Sequence, residues 1–476
     1  VRFRNRDARE RLLIEAQQRM SFNRPSVATA AGEATGHTGD VEPPRGSMAR
    51  DSVLLFAAQL IGNAGLFAGV LILARTLGPD GRGRIAFITV TAMVIARVCK
   101  LGLSETTTVL AARMPERRPV LLANLLVWSA AGSLAGGTIV AAALLAFPAA
   151  RPDGIGTPEL GIIVGGAVAY SLWDESILLG CRRMRQLALR IACGGWVSAL
   201  LLGALALGPG LSVRSAAIAW VVAQALVAIT IHRPALRALG RARPSSELLG
   251  ESLRFGSRAW LGTLSVNLNA RLDQVIMGLI ASQAALGIYA IAVNASELLL
   301  YLPTAVAAAL LPRLAGGAGA DAGEATVRVF RMALLVTAGS MVAAAAVGPV
   351  LVPAIFGAPF RPSVGPFLWL VPGAVGYAAM SIFTNALLAV SSPGRSSLGP
   401  LTALLSGIVL DLVLIGRFGA TGAAVAATAA FSCGGLAALL LFRGRAPFAW
   451  SALLPRGGDV RGLARAGRRL LRERGA

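Results

Sequence analysis

Twelve apolar segments, each close to the length of a bilayer-crossing helix, succeed one another near residues 53–74, 85–108, 119–147, 160–180, 187–207, 214–231, 256–280, 286–311, 329–355, 364–390, 398–416 and 421–442. A helix needs about 20 such residues to span the hydrocarbon core, and backbone in lipid must satisfy its own hydrogen bonds. The connections are short. The longest outer one, 147–160 (FPAARPDGIGTPEL), has no room for a folded domain. The expected fold is an all-α polytopic membrane protein. Composition agrees, because only 14% of residues are charged, against about 25% in soluble domains.

The net charge of +22 would point a soluble protein toward nucleic acid. In a membrane protein, basic residues flanking the spans fix orientation instead, and no nucleic-acid partner is expected. With the N-terminus inside, the five inner loops hold seventeen arginines and the six outer loops seven. Both termini are therefore expected in the cytoplasm. The first outer hairpin, with Arg75, Arg82 and Arg84, runs against the rule. Cys99, Cys181, Cys193 and Cys433 are scattered, and His37 and His232 stand apart from them. No metal site, disulfide or catalytic dyad is expected.

Residues 1–47 are polar, rich in arginine, and read as a disordered extension or an over-long start, since Met48 directly precedes the first span. Residues 48–231 form the expected N-lobe of six spans, 232–258 a cytoplasmic linker, and 259–442 the C-lobe of six more. The first two spans of each half share a tight turn with glycine, where Gly83 and Ala86 answer Gly287 and Ala290. That placement fits a parallel repeat. The basic tail, 443–476, ends in DVRGLARAGRRLLRERG, which reads as an amphipathic helix on anionic lipid or as a solvated tail.

GPDGRG (78–83) superficially resembles a phosphate loop, but it lacks the Lys-Ser/Thr and the strand that such a loop needs. The informative residues are polar ones inside spans, which usually face a cavity or a partner. Gln59 and Asn63 pair at i, i+4 in span one. Arg97 and Lys100 share a face of span two, followed by Glu105. Asp174 and Glu175 lie near a basic turn and read as local structure. Span seven carries SVNLNARLDQVIMGL (265–279). At about 100° per residue, Asn267, Arg271 and Gln274 share one face, with Asn269 and Asp273 opposite. Helix rise puts Arg271 roughly 14 Å and Glu297 of span eight roughly 17 Å below the outer surface, so an ion pair between them is allowed. Pro303 would loosen span eight.

LARTLGPDGRGRIAF (73–87) and RLDQVIMGLIASQAALGIYAIAVNASELLLYLP (271–303), ending in LPRLA (311–315), resemble the Wzx-type polysaccharide flippases of the multidrug/oligosaccharidyl-lipid/polysaccharide (MOP) exporter superfamily. The resemblance covers most of 48–442. It implies two six-helix lobes around a central cavity that opens alternately to each side of the bacterial inner membrane. It also implies an undecaprenyl-pyrophosphate-linked glycan as substrate, with polysaccharide polymerase and glycosyltransferases as partners, and no enzymatic step. Arg97, Lys100 and Arg271 are then the candidates for the anionic head group, since arginine forks bind phosphate bidentately. Asn267 and Gln274 join them as cavity residues. Asp273 and Glu297 are candidates for carrying a coupling proton or sodium ion; the competing reading is charge balance for the arginines. No other cofactor is expected. Two further readings compete: a MATE-type drug or cation exporter, which calls for a carboxylate-dominated cavity, and a polytopic glycan polymerase or ligase, which calls for a large outer loop.

Overall fold

The computed structural model describes residues 45–146, 156–172, 175–232, 237, 239–240, 242–300, 303–304, 322–390, 393–456 and 458–459. Residues 1–51 form one unit and residues 52–476 another; only the second is considered below. Residues 1–44 of the expected extension and the arginine-rich end of the tail lie outside the described residues, as does Asp174, while 45–47, expected as part of the disordered extension, already belong to the first helix.

The described chain is helical. In order it runs α1 (Arg45–Cys99), α2 (Leu103–Arg113), α3 (Arg118–Ala146), α4 (Thr157–Leu172), α5 (Glu175–Gly180), α6 (Met184–Leu207), α7 (Val213–Val227), α8 (Ser246–Asn269), α9 (Leu272–Ile280), α10 (Gln283–Ser296), α11 (Ala322–Phe356), α12 (Val364–Leu370), α13 (Gly373–Val390) and α14 (Leu398–Arg443). Seven of the described helices are long and apolar enough to cross a membrane. Two of these contain a reversal. At 1.5 Å per residue, α1 and α14 would each run more than twice the thickness of a bilayer core. The backbone of α1 leaves helical geometry at Gly78 (φ 65°) and that of α14 at Gly419 (φ 54°). Positive φ costs glycine nothing and other residues about 1 kcal/mol or more.

The two arms of α14 then meet in antiparallel order: Gly399 against Ala438, Gly407 against Ala430, Gly422 against the Leu414 carbonyl. Seven helices thus supply nine crossings. Spans four, seven and eight lie where shorter helices follow one another, α4–α5, α8–α9 and α10 with its 3-10 extension Glu297–Leu300. The linker expected over 232–258 is shorter than that, because α8 begins at Ser246.

Small residues bring the helices together, as they must where lipid offers no hydrophobic drive. Between α3 and α4, Ser129 donates to the Ala169 carbonyl (3.0 Å), Ser133 to the Gly165 carbonyl (2.7 Å), and Gly137 packs on Gly161. Each step is four residues, one face of both helices. One core cluster draws its buried members from residues 73–219 and another from 327–448. Between them, Ala86 and Phe87 pack with Met277, Leu286, Tyr289 and Ala290. The two halves meet along this seam.

Past the last span the chain turns back on the bundle. Phe448 joins Phe383 and Phe442, Arg443 lies 4.3 Å over the Trp450 ring, and Arg331 binds Asp459 through two nitrogens (2.8 and 3.2 Å) and the Ala452 carbonyl (2.8 Å). A backbone hydrogen bond from Arg456 and the Arg331 guanidinium hold the Asp459 carboxyl below its ordinary range. A lowered native pKa stabilises the docked state above the ordinary carboxylate pKa and loses that contribution as pH falls through the native one. Acidification below about pH 4 is therefore expected to release this segment. Trp450 fluorescence and proteolysis of the tail read it out, and Asp459→Asn should release it at neutral pH.

Candidate functional site

The charged residues of the spans sit at helix interruptions. Span two breaks between α1 and α2, where Leu101 and Gly102 both take positive φ (44° and 78°), directly after Lys100. Two indoles satisfy the carbonyls near this break: Trp128 donates to Cys99 (2.8 Å) and Trp260 to Arg97 (3.2 Å). Span seven breaks at Ala270–Arg271, and span eight tightens into a 3-10 turn that begins at Glu297. Broken spans free backbone groups and place charges inside a membrane protein, the usual construction of a transporter site.

Arg271 Nη1 lies 2.7 Å from Glu297 Oε1, with both side chains half-buried. Behind it stands a residue that the loop count had assigned to the first outer turn. Arg82 is 7% exposed, its Nε is buried with no hydrogen-bond partner, and it lies within electrostatic range of Arg271. It is no loop residue because helix resumes at once after Gly78, with Pro79 in the first turn where no N–H is needed. Arg75, also assigned to that turn, donates to the Ala354 and Ile355 carbonyls at the end of α11 (2.9 Å each). Arg84 pairs with Asp80 at 2.8 Å. The three arginines that ran against the orientation rule thus include one buried at the seam.

Arg97, Lys100, Ser104, Glu105, Trp260, Thr263, Leu264 and Asn267 line a cavity of about 120 Å³ between span two and α8. Two sequence candidates from the first half and one from the second therefore share one space. Gln274 does not join them. The break at Ala270–Arg271 interrupts the 100° progression, and Gln274 is buried (3% exposed) in α9 while Asn267 faces the cavity.

Asp273 acquires partners across the α9–α10 turn. Tyr289 donates its hydroxyl to Asp273 Oδ2, and the Gln274 N–H donates to Oδ1 (2.7 Å). It shares a second, narrow cavity of about 20 Å³ with Asn269, Gly407, Asp411 and Ala430. Asp411 is 4% exposed, its Oδ1 is buried without a hydrogen-bond partner, and it lies within electrostatic range of Asp273. Asn269 donates its amide to the Pro400 carbonyl (2.8 Å), which leaves its own carbonyl oxygen as an acceptor. Asp411 was missed in the sequence, although GIVLDLVLIG carries an aspartate in an otherwise apolar span. Two acidic side chains, one with an orphaned oxygen, fit a monovalent cation or a proton.

The two halves touch on both sides of these cavities. At one end a Cβ on Gly83 would overlap the Gln283 carbonyl, and one on Gly287 would overlap the Pro79 carbonyl. These positions answer one another across the repeat, since each glycine faces the carbonyl four residues before the other. At the opposite end Gly102 and Gly256 pack backbone on backbone, and Thr106 donates to the Ser252 carbonyl (2.9 Å).

Residues 169–365 match a family model described as "Polysaccharide biosynthesis protein". The probable flippase AglR of Haloferax volcanii is 28% identical over 187 residues, 38% of this chain and 39% of the relative, so the match spans about two fifths of that protein. The fold is similar to that of the lipid II flippase MurJ in an inward closed conformation, with a TM-score of 0.68 and 14% identity over 82% of this chain and 87% of that one. It is also similar to an inward-facing multidrug resistance MATE transporter of the MOP superfamily, with a TM-score of 0.65 and 14% identity over 84% and 98%. Over its described residues the chain is a helical, multi-pass membrane protein with a fold similar to that of MurJ and of the MATE transporters.

Proposed function

We propose that the protein translocates a lipid-linked, pyrophosphate-bearing oligosaccharide across the cytoplasmic membrane by alternating access, with both termini in the cytoplasm. The observation that carries this reading is the pair of arginines at the seam: Arg82, buried and without a hydrogen-bond partner at Nε, lies within electrostatic range of Arg271. A buried guanidinium nitrogen without an acceptor is costly, and a pyrophosphate supplies several acceptors at once. Glu297 holds Arg271 until substrate takes its place, and the exchange keeps the charge balanced in either state. Asp273 and Asp411 would bind the coupling proton or sodium ion in the second half. The glycan would pass to a polymerase or transferase at the outer face.

The two carboxylates also favour a second reading, a cation-coupled drug exporter of the MATE kind. One assay separates the two. In proteoliposomes carrying a fluorescent polyprenyl-pyrophosphate disaccharide, the wild type should expose the sugar to external quencher. Arg271→Ala and Arg82→Gln should each slow this by about 10- to 100-fold, the loss expected for one charge-assisted hydrogen-bond set. Efflux of a lipophilic cation at undiminished rate in both variants, with no sugar exposure by the wild type, would establish the exporter instead.

A further inference from the structure

The cavity between span two and α8 contains a carboxylate that a pyrophosphate site does not call for. Glu105 Oε2 is buried there with no hydrogen-bond partner. A second anion beside it would be repelled, whereas a hydroxyl group would donate to it. The rest of the lining is equally mixed. Arg97, Lys100 and Asn267 supply donors, Ser104 and Thr263 supply hydroxyls, and Trp260 with Leu264 supplies an apolar surface. The Trp260 ring is fixed by its hydrogen bond to the Arg97 carbonyl. Acceptors, donors and a flat apolar face together are the chemistry of a pyranose, whose hydroxyls lie around its rim and whose C–H bonds cover its faces. Asn267 lies four residues before Arg271, on the α8 side of the break, so no more than about 14 Å of chain separates the cavity from the arginine.

We infer that this cavity is a saccharide subsite, which holds the pyranose attached to the pyrophosphate while Arg271 and Arg82 hold the pyrophosphate itself. The inference rests on the proposed lipid-linked glycan substrate and deepens it. Glu105 and Trp260 then discriminate the sugar-bearing lipid from the bare one, because a buried acceptor left unpaired penalises any ligand that lacks the matching hydroxyl.

Binding of three lipids to the purified full-length protein tests this: polyprenyl pyrophosphate, and the same lipid carrying N-acetylglucosamine or glucose. The wild type should bind at least one sugar-bearing lipid about tenfold tighter than the bare lipid. Glu105→Gln, which keeps shape and removes only charge and acceptor strength, and Trp260→Ala should both erase that advantage and leave the bare lipid's affinity unchanged. Arg271→Ala should weaken all three. Equal affinity of the wild type for all three lipids overturns the subsite, as does an advantage that survives both substitutions. Failure of the wild type to bind any of them overturns the flippase reading itself and the subsite with it.

Discussion

Asp411→Asn is expected to fold normally, to lose stabilisation by sodium or by acid, and to lose driven transport. Asp411 is 4% exposed with an orphaned Oδ1, and Asp273, fixed by Tyr289 and by the Gln274 N–H, shares its cavity. When both carboxylates are ionised they repel across a space with little water. A sodium ion or a proton removes that repulsion, so the bound state is the more stable one. A cation at a hundred times its Kd adds about 2.7 kcal/mol to the native state, and the melting temperature should rise by a few degrees when choline is replaced by sodium or when pH is lowered. The asparagine is isosteric and cannot supply the second charge, so its melting temperature should respond to neither. Coupling energies between sites are typically about 1–3 kcal/mol, or roughly 5- to 150-fold in affinity, and ion-driven sugar exposure should fall by a factor in that range. Wild-type transport in Asp411→Asn, with melting unchanged by either cation in the native protein, would remove the coupling role and leave the pair as structure.

The spans were legible because hydrophobic length is a local property, and the segments read from sequence have helical counterparts among the described residues, span eight over its first half only. Depth was legible for the same reason. Helix rise alone puts Arg271 and Glu297 at one level, and the ion pair there measures 2.7 Å, half-buried where a fully buried one was allowed. What sequence did not give was the set of interruptions. The periodic argument that grouped Gln274 with Asn267 assumes an unbroken helix, and Arg271 stands in the break. Arg82 was hidden by a different error. A glycine and a proline read as a loop, but one residue at φ 65° reverses the chain and the helix restarts beside it. Asp411 needed no structure to be noticed as a lone acid in an apolar run. Its partnership with Asp273, 138 positions earlier in the numbering, did.

The second large effect is expected at the paired glycines. Gly287→Leu should abolish transport and open the seam at its end, because its side chain would occupy the place of the Pro79 carbonyl. Overpacking a core usually costs about 1–3 kcal/mol through side-chain shifts. Here the obstacle is backbone in a helix, so the whole of α1 beyond Gly78 must move away from α10. Gly83→Leu should act in the same way through the Gln283 carbonyl, and the double substitution should add little, since either one already parts the same surface. Gly102→Leu is the contrasting case, because Gly256 lies behind it at the opposite end of the cavities. Alternating access requires each seam to close while the other opens, so a wedge in either one stops the cycle with the molecule held open on that side. Ala86, 1% exposed beside Ala290, reports the difference. As the sole cysteine in a protein whose four native cysteines are replaced, it should resist an impermeant maleimide in the parent, react once Gly287→Leu is added, and stay protected with Gly102→Leu. An Ala86→Cys that is unreactive in all three backgrounds, together with normal transport by Gly287→Leu, would show that the glycine crossing is packing and not a gate.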